Sequence, residues 1–123
     1  MTFPSASDEP VETVEVKISD GDPVVIQVNG RLLYDSLQPL ADALARLDPP
    51  ASPRVILDLA TVPMCDSSAL NLLVRTRSDL VAAGGWLRLA AVQPLVETVL
   101  RITNLTRILP TYPTAEEAAA PHE

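Results

Sequence analysis

Apolar and polar residues alternate near the start of the chain with the two-residue period of a half-buried strand. Val14, Val16 and Ile18 are the apolar positions of this first segment. The segment Asp20–Pro23 reads Asp-Gly-Asp-Pro, a strong turn signal, and Val24–Val28 is apolar enough for a second strand. The pattern therefore predicts two strands paired as a hairpin.

The period then changes to that of a helix. Asp35 or Ser36 can cap its start, and Pro49 with Pro50 can end it. The apolar positions follow one helical face, at Leu37, Leu40, Ala41, Leu44 and Leu47.

A continuous apolar run, Val55–Leu59, is broken only by Asp58 and is typical of a strand covered on both faces. A second helix is predicted to start after Asp66 and to end at the pair Gly84-Gly85. Its predicted buried side consists of Leu70, Leu73, Val74 and Val81.

Two more strand–helix units complete the pattern. Trp86–Val92 and Arg107–Leu109 are predicted strands, and Thr114–Ala120 is a short helix with Thr114 as its N-cap. Between the two strands, Pro94 suits the first turn of a helix. The predicted buried side of that helix is Leu95, Val96, Val99, Leu100 and Thr103.

The predicted order is β-β-α-β-α-β-α-β-α, which indicates an α/β fold. We expect one domain over residues 12–120, with a mixed, mostly parallel sheet of four to five strands flanked by about four helices. Residues 1–11 are rich in Pro, Ser and acids and are predicted to be a flexible tail, as are residues 121–123.

Composition narrows the classes of function. The 123 residues are enough for one domain, and a hydrophobic content of 47% excludes bulk disorder. Sixteen acids against nine bases give a net charge of −7, which disfavours contact with nucleic acid. No apolar run is long enough for membrane insertion, and the N-terminus does not resemble a signal peptide. The single cysteine, Cys65, suits a reducing compartment, and the single histidine, His122, lies in the tail, so no metal site or cofactor is expected.

The segment that carries functional information is Asp66-Ser67-Ser68, at the predicted start of the second long helix. Unpaired N–H groups and the helix dipole favour negative charge there, so a phosphate on a serine would be tolerated. By composition alone, helix capping is the leading interpretation of such a sequence.

The run Val55–Leu70 resembles the signature of STAS domains, the family of bacterial anti-sigma factor antagonists: a strand, Asp, Leu, an apolar linker and Asp-Ser-Ser-Gly-Leu. The likeness extends over residues 12–120 and includes the turn Gly30-Arg31-Leu32 and the pair Gly84-Gly85. The family's fold, a mixed sheet flanked by helices, has the same element order as the one predicted above.

The resemblance implies roles for individual residues. Ser67 matches the serine that anti-sigma factor kinases phosphorylate, Ser68 is its neighbour, and Asp66 would cap the helix and shape the interface. Asp58 matches the family's strand aspartate, with a structural or hydrogen-bonding role. The implied partner-binding segment is Asp66, Ser67, Ser68, Ala69 and Leu70.

The chain departs from the family pattern at two places. Ala69 stands where Gly is usual, and Leu33 and Tyr34 follow the Gly-x-Leu turn where an acid is common, with Asp35 slightly later. The second departure concerns whether the partner surface is the one usual in the family.

The resemblance implies a cytoplasmic, non-enzymatic regulator. Its unphosphorylated form would bind an anti-sigma factor, itself an ATP-dependent serine kinase, and so release a sigma factor. Phosphorylation would end the binding, and a metal-dependent serine phosphatase would restore it. The alternative is a scaffold or accessory subunit, as in stressosomes or beside lipid-transport ATPases, in which Ser67 only caps a helix.

Enzymatic alternatives fit the sequence poorly. In a Cys-x5-Arg phosphatase loop the arginine would fall at position 71, which is Asn71. Asp58 as a receiver-domain phosphate acceptor would need a lysine after the last strand, and the only lysine is Lys17. We therefore expect Cys65 to be a small buried packing residue.

Overall fold

A computed structural model describes residues 14–19, 21–47 and 53–120. The predicted order of strands and helices is confirmed, with one added 3-10 turn at Leu105–Arg107. The predicted tails 1–11 and 121–123 lie outside the described residues. The elements are β1 (Glu15–Ile18), β2 (Val24–Asn29), α1 (Gln38–Ala45), β3 (Arg54–Thr61), α2 (Ser67–Ala82), β4 (Trp86–Ala90), α3 (Pro94–Ile102), β5 (Thr111–Tyr112) and α4 (Ala115–Ala119).

The five strands form one mixed sheet in the order β1-β2-β3-β4-β5. β1 and β2 pair antiparallel, with Val16 opposite Val28, which confirms the predicted hairpin. The pairs β2–β3, β3–β4 and β4–β5 are parallel. Because β2, β3 and β4 run in the same direction, their carboxyl ends and the loops that follow them meet at one edge of the sheet.

The two faces of the sheet are covered unequally. The main core packs sheet residues such as Ile26, Leu57 and Leu89 against Leu40 of α1 and Leu73 of α2, all nearly inaccessible to solvent. On the opposite face, α4 covers a smaller cluster of Ile56, Ala90 and Ala118. β3 is therefore covered on both faces, which is the physical reason for its continuous apolar run.

Some predicted inward positions point outward. Val81 is 46% exposed and Leu95 is 53% exposed, and Ile18 and Thr103 are exposed as well. In α2, Leu80 is buried and Val81 is not, because Leu80 lies two turns after the buried Leu73 on the same helical stripe, whereas Val81 lies two turns after the half-buried Val74.

Other differences concern the ends of elements. Neither Asp35 nor Ser36 caps α1: its N-cap is Leu37, which makes no side-chain bond. The Ser36 hydroxyl instead donates to the Arg31 carbonyl at 2.6 Å and accepts from the Leu33 N–H at 3.0 Å. α1 ends at Ala45, and the prolines expected to end it lie outside the described residues.

The last strand was predicted too early. Arg107–Leu109 falls on the 3-10 turn and the loop after it, and β5 is Thr111–Tyr112. Leu109 is fully buried although it is not in a strand. A buried apolar residue in a loop gives the same sequence pattern as one in a short strand. By contrast, the prediction for α4 is confirmed, since the Thr114 hydroxyl accepts from the Glu117 N–H at 3.0 Å.

Candidate functional site

The connection from β3 to α2 lies beside the connection from β2 to α1 at the carboxyl edge of the sheet. Leu32 and Cys65 form an isolated parallel bridge. The Leu32 N–H donates to the Met64 carbonyl, and the Asp66 N–H donates to the Leu32 carbonyl, both at 3.0 Å. The two connections are therefore held together by backbone hydrogen bonds just before α2 begins.

The Asp66 carboxylate joins these same two segments through its side chain. One oxygen, Oδ1, accepts from the Ala69 N–H at 3.1 Å and caps α2. The other, Oδ2, accepts from the Tyr34 N–H at 2.7 Å. The resemblance led us to expect a cap, and the structure adds the second bond, which fixes the loop before α1.

Ser67 is the first residue of α2 and is exposed, and Ser68, the second, is half-buried. α2 has sixteen residues and carries no acidic residue in its first turn. The Asp66 carboxylate at the N-cap is thus the acid that faces the positive end of the dipole, and the first turn adds no other. A hydroxyl here can accept a phosphoryl group, and the helix can hold the resulting charge.

Ala69 and Leu70, expected to contact a partner, are instead core residues. Ala69 is 1% exposed and Leu70 is 6% exposed. Residues 69 and 70 of a helix that starts at Ser67 face the sheet, because the helix packs its apolar side on it. The exposed part of the predicted segment is thus limited to Ser67 and the half-buried Asp66 and Ser68.

Asp58 does not join this site. It lies in β3 opposite Gln27 of β2 and is half-buried. Its neighbours Leu57 and Leu59 belong to the main core, so Asp58 points to the other face of the sheet. Its Oδ1 accepts from the Ala60 N–H at 3.1 Å, a local role in agreement with the expected hydrogen-bonding function.

Cys65 is 6% exposed, and burial together with the nearby Asp66 carboxylate raises the pKa of its thiol to about 11. The thiol is thus protonated near neutral pH and a poor nucleophile. Among the described residues, no three His, Cys, Asp or Glu side chains are grouped to hold a metal ion. Within the same ranges, every helix is too short or too polar to cross a bilayer.

Sequence reasoning missed Tyr34 as part of this site. Its side chain is 80% exposed, although tyrosine is usually at least partly covered. The available signal was its position just after the Gly-x-Leu turn, where the chain departs from the family pattern. Only the bond to Asp66 shows that this departure lies next to Ser67.

Comparison with known proteins places the whole described domain in one family. The family model described as STAS domain matches residues 13–118. A STAS-domain containing protein of Pseudomonas aeruginosa is 31% identical over 91 residues, covering 73% of this chain and 88% of that protein. A Thermotoga maritima protein provisionally named an anti-sigma factor antagonist is 35% identical over 65 residues; the match covers 53% of this chain and only 58% of that relative's length.

Solved structures agree. The anti-sigma-factor antagonist (STAS) domain protein of Planctomyces limnophilus has a TM-score of 0.78 at 26% sequence identity, covering 85% of this chain and 94% of that one. The Bacillus cell fate determinant SpoIIAA in its phosphorylated form has a TM-score of 0.64 at 19% identity, covering 85% of this chain and 96% of that one. The second likeness establishes the fold alone.

Proposed function

The chain belongs to the STAS domain family, and we propose that it is an anti-sigma factor antagonist controlled by phosphorylation of Ser67. In this proposal the unphosphorylated chain binds an anti-sigma factor that is also a serine kinase, and a sigma factor is released. Phosphate on Ser67 ends the binding, and a metal-dependent serine phosphatase removes it. The chain itself acts in the cytoplasm, catalyses no reaction and needs no cofactor.

The observation that carries the proposal is the exposure of Ser67 at the capped start of α2. A kinase can reach this residue without unfolding the domain, since Ser67 is exposed on the surface. The helix dipole would stabilise a phosphate there by roughly 0.3–1 kcal/mol. The same fold has been solved in a phosphorylated state in SpoIIAA, which supports a domain that carries the group without losing its structure.

Electrostatics explains how the phosphate would act as a switch. It adds about −1.5 to −2 charges at pH 7, and the chain already has a net charge of −7. A docked kinase would have to desolvate this group or make room for it. A loss of several kcal/mol at ~1.4 kcal/mol per tenfold weakens the affinity by a hundredfold or more.

The replacement of the usual glycine by Ala69 is compatible with this role. Ala69 is 1% exposed, and its N–H already donates to Asp66. Its methyl group therefore lies in the core, where it cannot obstruct a protein that docks on Ser67.

The first experiment is phosphorylation by candidate anti-sigma factor kinases with ATP, followed by mass spectrometry. We expect one phosphate, on Ser67, and none in Ser67→Ala. Ser68→Ala is the matched control, because Ser68 is a neighbouring hydroxyl on the same helical turn, and it should be modified like the wild type. Phosphate on Ser68 in place of Ser67, or on neither, would contradict the assignment.

The second experiment is a binding titration with the same kinase. Ser67→Ala should bind as the wild type does, whereas Ser67→Glu should bind at least tenfold and the phosphoprotein at least a hundredfold more weakly. Thermal melts of all forms should agree closely, since the effect lies in the interface. Equal affinity for all forms would favour the scaffold or accessory-subunit function.

A further inference from the structure

We propose that Tyr34 is a binding hot spot for the partner that docks at Ser67, and that Asp66 is a positioning residue that holds the Tyr34 backbone beside Ser67. This inference rests on the proposed function and names the second half of its docking surface. The inference is supported by the position of the exposed residue Tyr34 next to the Asp66 carboxylate, which accepts two hydrogen bonds.

Tyr34 is the most exposed large hydrophobic residue of the described chain, at 80%, followed by Ile102 at 75%. A tyrosine in water gains much by being covered, because its ring is apolar and its hydroxyl can still find a partner. Tyrosine is also among the residues that dominate binding energy in protein interfaces.

The loop that presents Tyr34 is fixed on both sides. Upstream, Leu32 is bridged to Cys65. Downstream, the buried Ser36 hydroxyl donates to the Arg31 carbonyl and accepts from the Leu33 N–H. Docking on such a preorganised loop costs little ordering entropy.

Asp66 then fixes the backbone of Tyr34 relative to Ser67. Its Oδ2 holds the Tyr34 N–H at 2.7 Å, while its Oδ1 caps α2 one residue before the proposed acceptor hydroxyl. Tyr34 also borders a shallow cavity of about 630 Å³ between α1 and α2 that Ser68 and Asn71 line from the α2 side.

Because Tyr34 lies close to Ser67, one partner surface can cover both residues. A stable protein interface covers about 800 Å² on each partner, a disc roughly 16 Å in radius. The backbone N–H of Tyr34 donates to the side chain of Asp66, the residue that precedes Ser67. A kinase centred on Ser67 therefore also covers Tyr34, and its surface must offer an apolar recess with a polar group for the hydroxyl.

Phosphate on Ser67 would act on this arrangement as well. It places about −1.5 to −2 charges on the residue next to the Asp66 carboxylate. Repulsion between the phosphate and the Asp66 carboxylate would weaken the hydrogen bond from the Tyr34 N–H to that carboxylate. Phosphorylation would therefore loosen Tyr34 in addition to repelling the partner.

The first test needs no partner and uses amide hydrogen exchange followed by NMR. Asp66→Asn and Asp66→Ser keep a good N-cap oxygen but lose the second acceptor oxygen. We expect the Tyr34 amide to exchange at least about tenfold faster in both variants, with the Ala69 amide unchanged. Unchanged exchange at Tyr34 would overturn the positioning role of Asp66.

The second test is a binding titration with the kinase that phosphorylates Ser67. Tyr34→Ala should weaken binding about 30-fold, as expected for an interface hot spot. Tyr34→Phe should stay within about tenfold of the wild type, because it keeps the ring. The matched control is Ile102→Ala, which removes an equally exposed side chain at the far end of α3 and should bind as the wild type does.

A double variant separates positioning from direct contact. Asp66→Asn should weaken binding in the wild-type background and have less than a twofold effect in the Tyr34→Ala background, because its effect passes through Tyr34. If unphosphorylated Tyr34→Ala bound the kinase with wild-type affinity, and the kinase still phosphorylated its Ser67, the inference would be overturned and the proposed function left intact. A wild-type chain that binds none of the kinases would overturn both.

Discussion

Cys65 offers a sharp test of the site because it is the only cysteine in the chain. It lies in the connection that leads into α2, is 6% exposed and neighbours the Asp66 carboxylate. Burial and that charge raise the pKa of its thiol from 9.0 to about 11. A thiol used in catalysis would instead have a lowered pKa and an open approach.

The rate of thiol labelling follows from this pKa. At pH 8 about 0.1% of the folded thiol is thiolate, against about 9% for the unperturbed group, and only the thiolate reacts. Folding should therefore slow the labelling of Cys65 by about 100-fold through its ionisation alone, and burial should slow it further.

The assay compares reaction with a disulfide reagent in native buffer and in denaturant between pH 7 and 10. The native rate should rise tenfold per pH unit over the whole range, whereas the denatured rate should level off near pH 9. The same shift predicts a stability effect with a definite sign. The folded state favours the neutral thiol, so its contribution to stability is present below pH 9 and is lost as the pH rises from 9 through 11.

Two variants control the experiment. Cys65→Ala gives the background, and Asp66→Asn removes the negative neighbour and should lower the pKa slightly, which speeds labelling. A native rate within tenfold of the denatured one at pH 8, with no rise between pH 7 and 10, would refute the assignment of Cys65 as a packing residue and point to thiol chemistry.

Three further predictions concern the frame that positions the site. Gly85→Ala should lower the free energy of unfolding by about 2–4 kcal/mol in urea titrations, because the new Cβ would overlap the backbone of Pro53, whose carbonyl also accepts from the Trp86 N–H. Gly84→Ala is strained by the φ of 87° at that position and should cost about 1–2 kcal/mol. Arg88→Ala should loosen α4 and alter the fluorescence of Trp86, because its guanidinium lies 3.8 Å from that ring and donates to a carbonyl of α4 at 2.8 Å; an unchanged spectrum and melting temperature would contradict this. Asp58→Asn should change stability by less than about 0.5 kcal/mol and leave phosphorylation of Ser67 unchanged, since it keeps an acceptor and lies on the other face; loss of phosphorylation would show that Asp58 belongs to the site.

The element order and the position of Ser67 could be predicted from the sequence because both depend on local signals. Period-two and helical patterns, the turn Asp20–Pro23 and the cap Asp66 each act over a few residues. The confirmed hairpin, the parallel sheet and the start of α2 follow from such signals. The resemblance to the family added the identity of the proposed phosphate acceptor.

The sequence-based predictions were wrong at positions where burial depends on packing between distant segments of the chain. Leu109 is fully buried although it lies outside every strand of the sheet, and in α2 Leu80 is buried whereas Val81 is exposed. Ala69 and Leu70 stand in the motif expected to meet a partner, yet α2 turns both towards the core. A local pattern specifies which residues are apolar, but the packing of the helix on the sheet selects which of them are covered.

Two features, one in the frame of the fold and one in the site, were decided only by the tertiary structure. Gly85 reads as part of a helix stop, and only the approach of Pro53, 32 positions earlier in the chain, explains why its side chain must be absent. Likewise, nothing in the sequence near Tyr34 indicates that its N–H is held by Asp66, 32 residues later. The sequence by itself determined the order of the elements and the place of Ser67 at the start of α2, because those depend on neighbours along the chain. The surface around that serine depends on two loops that meet only when parallel strands align their carboxyl ends, and that is a property of the folded sheet.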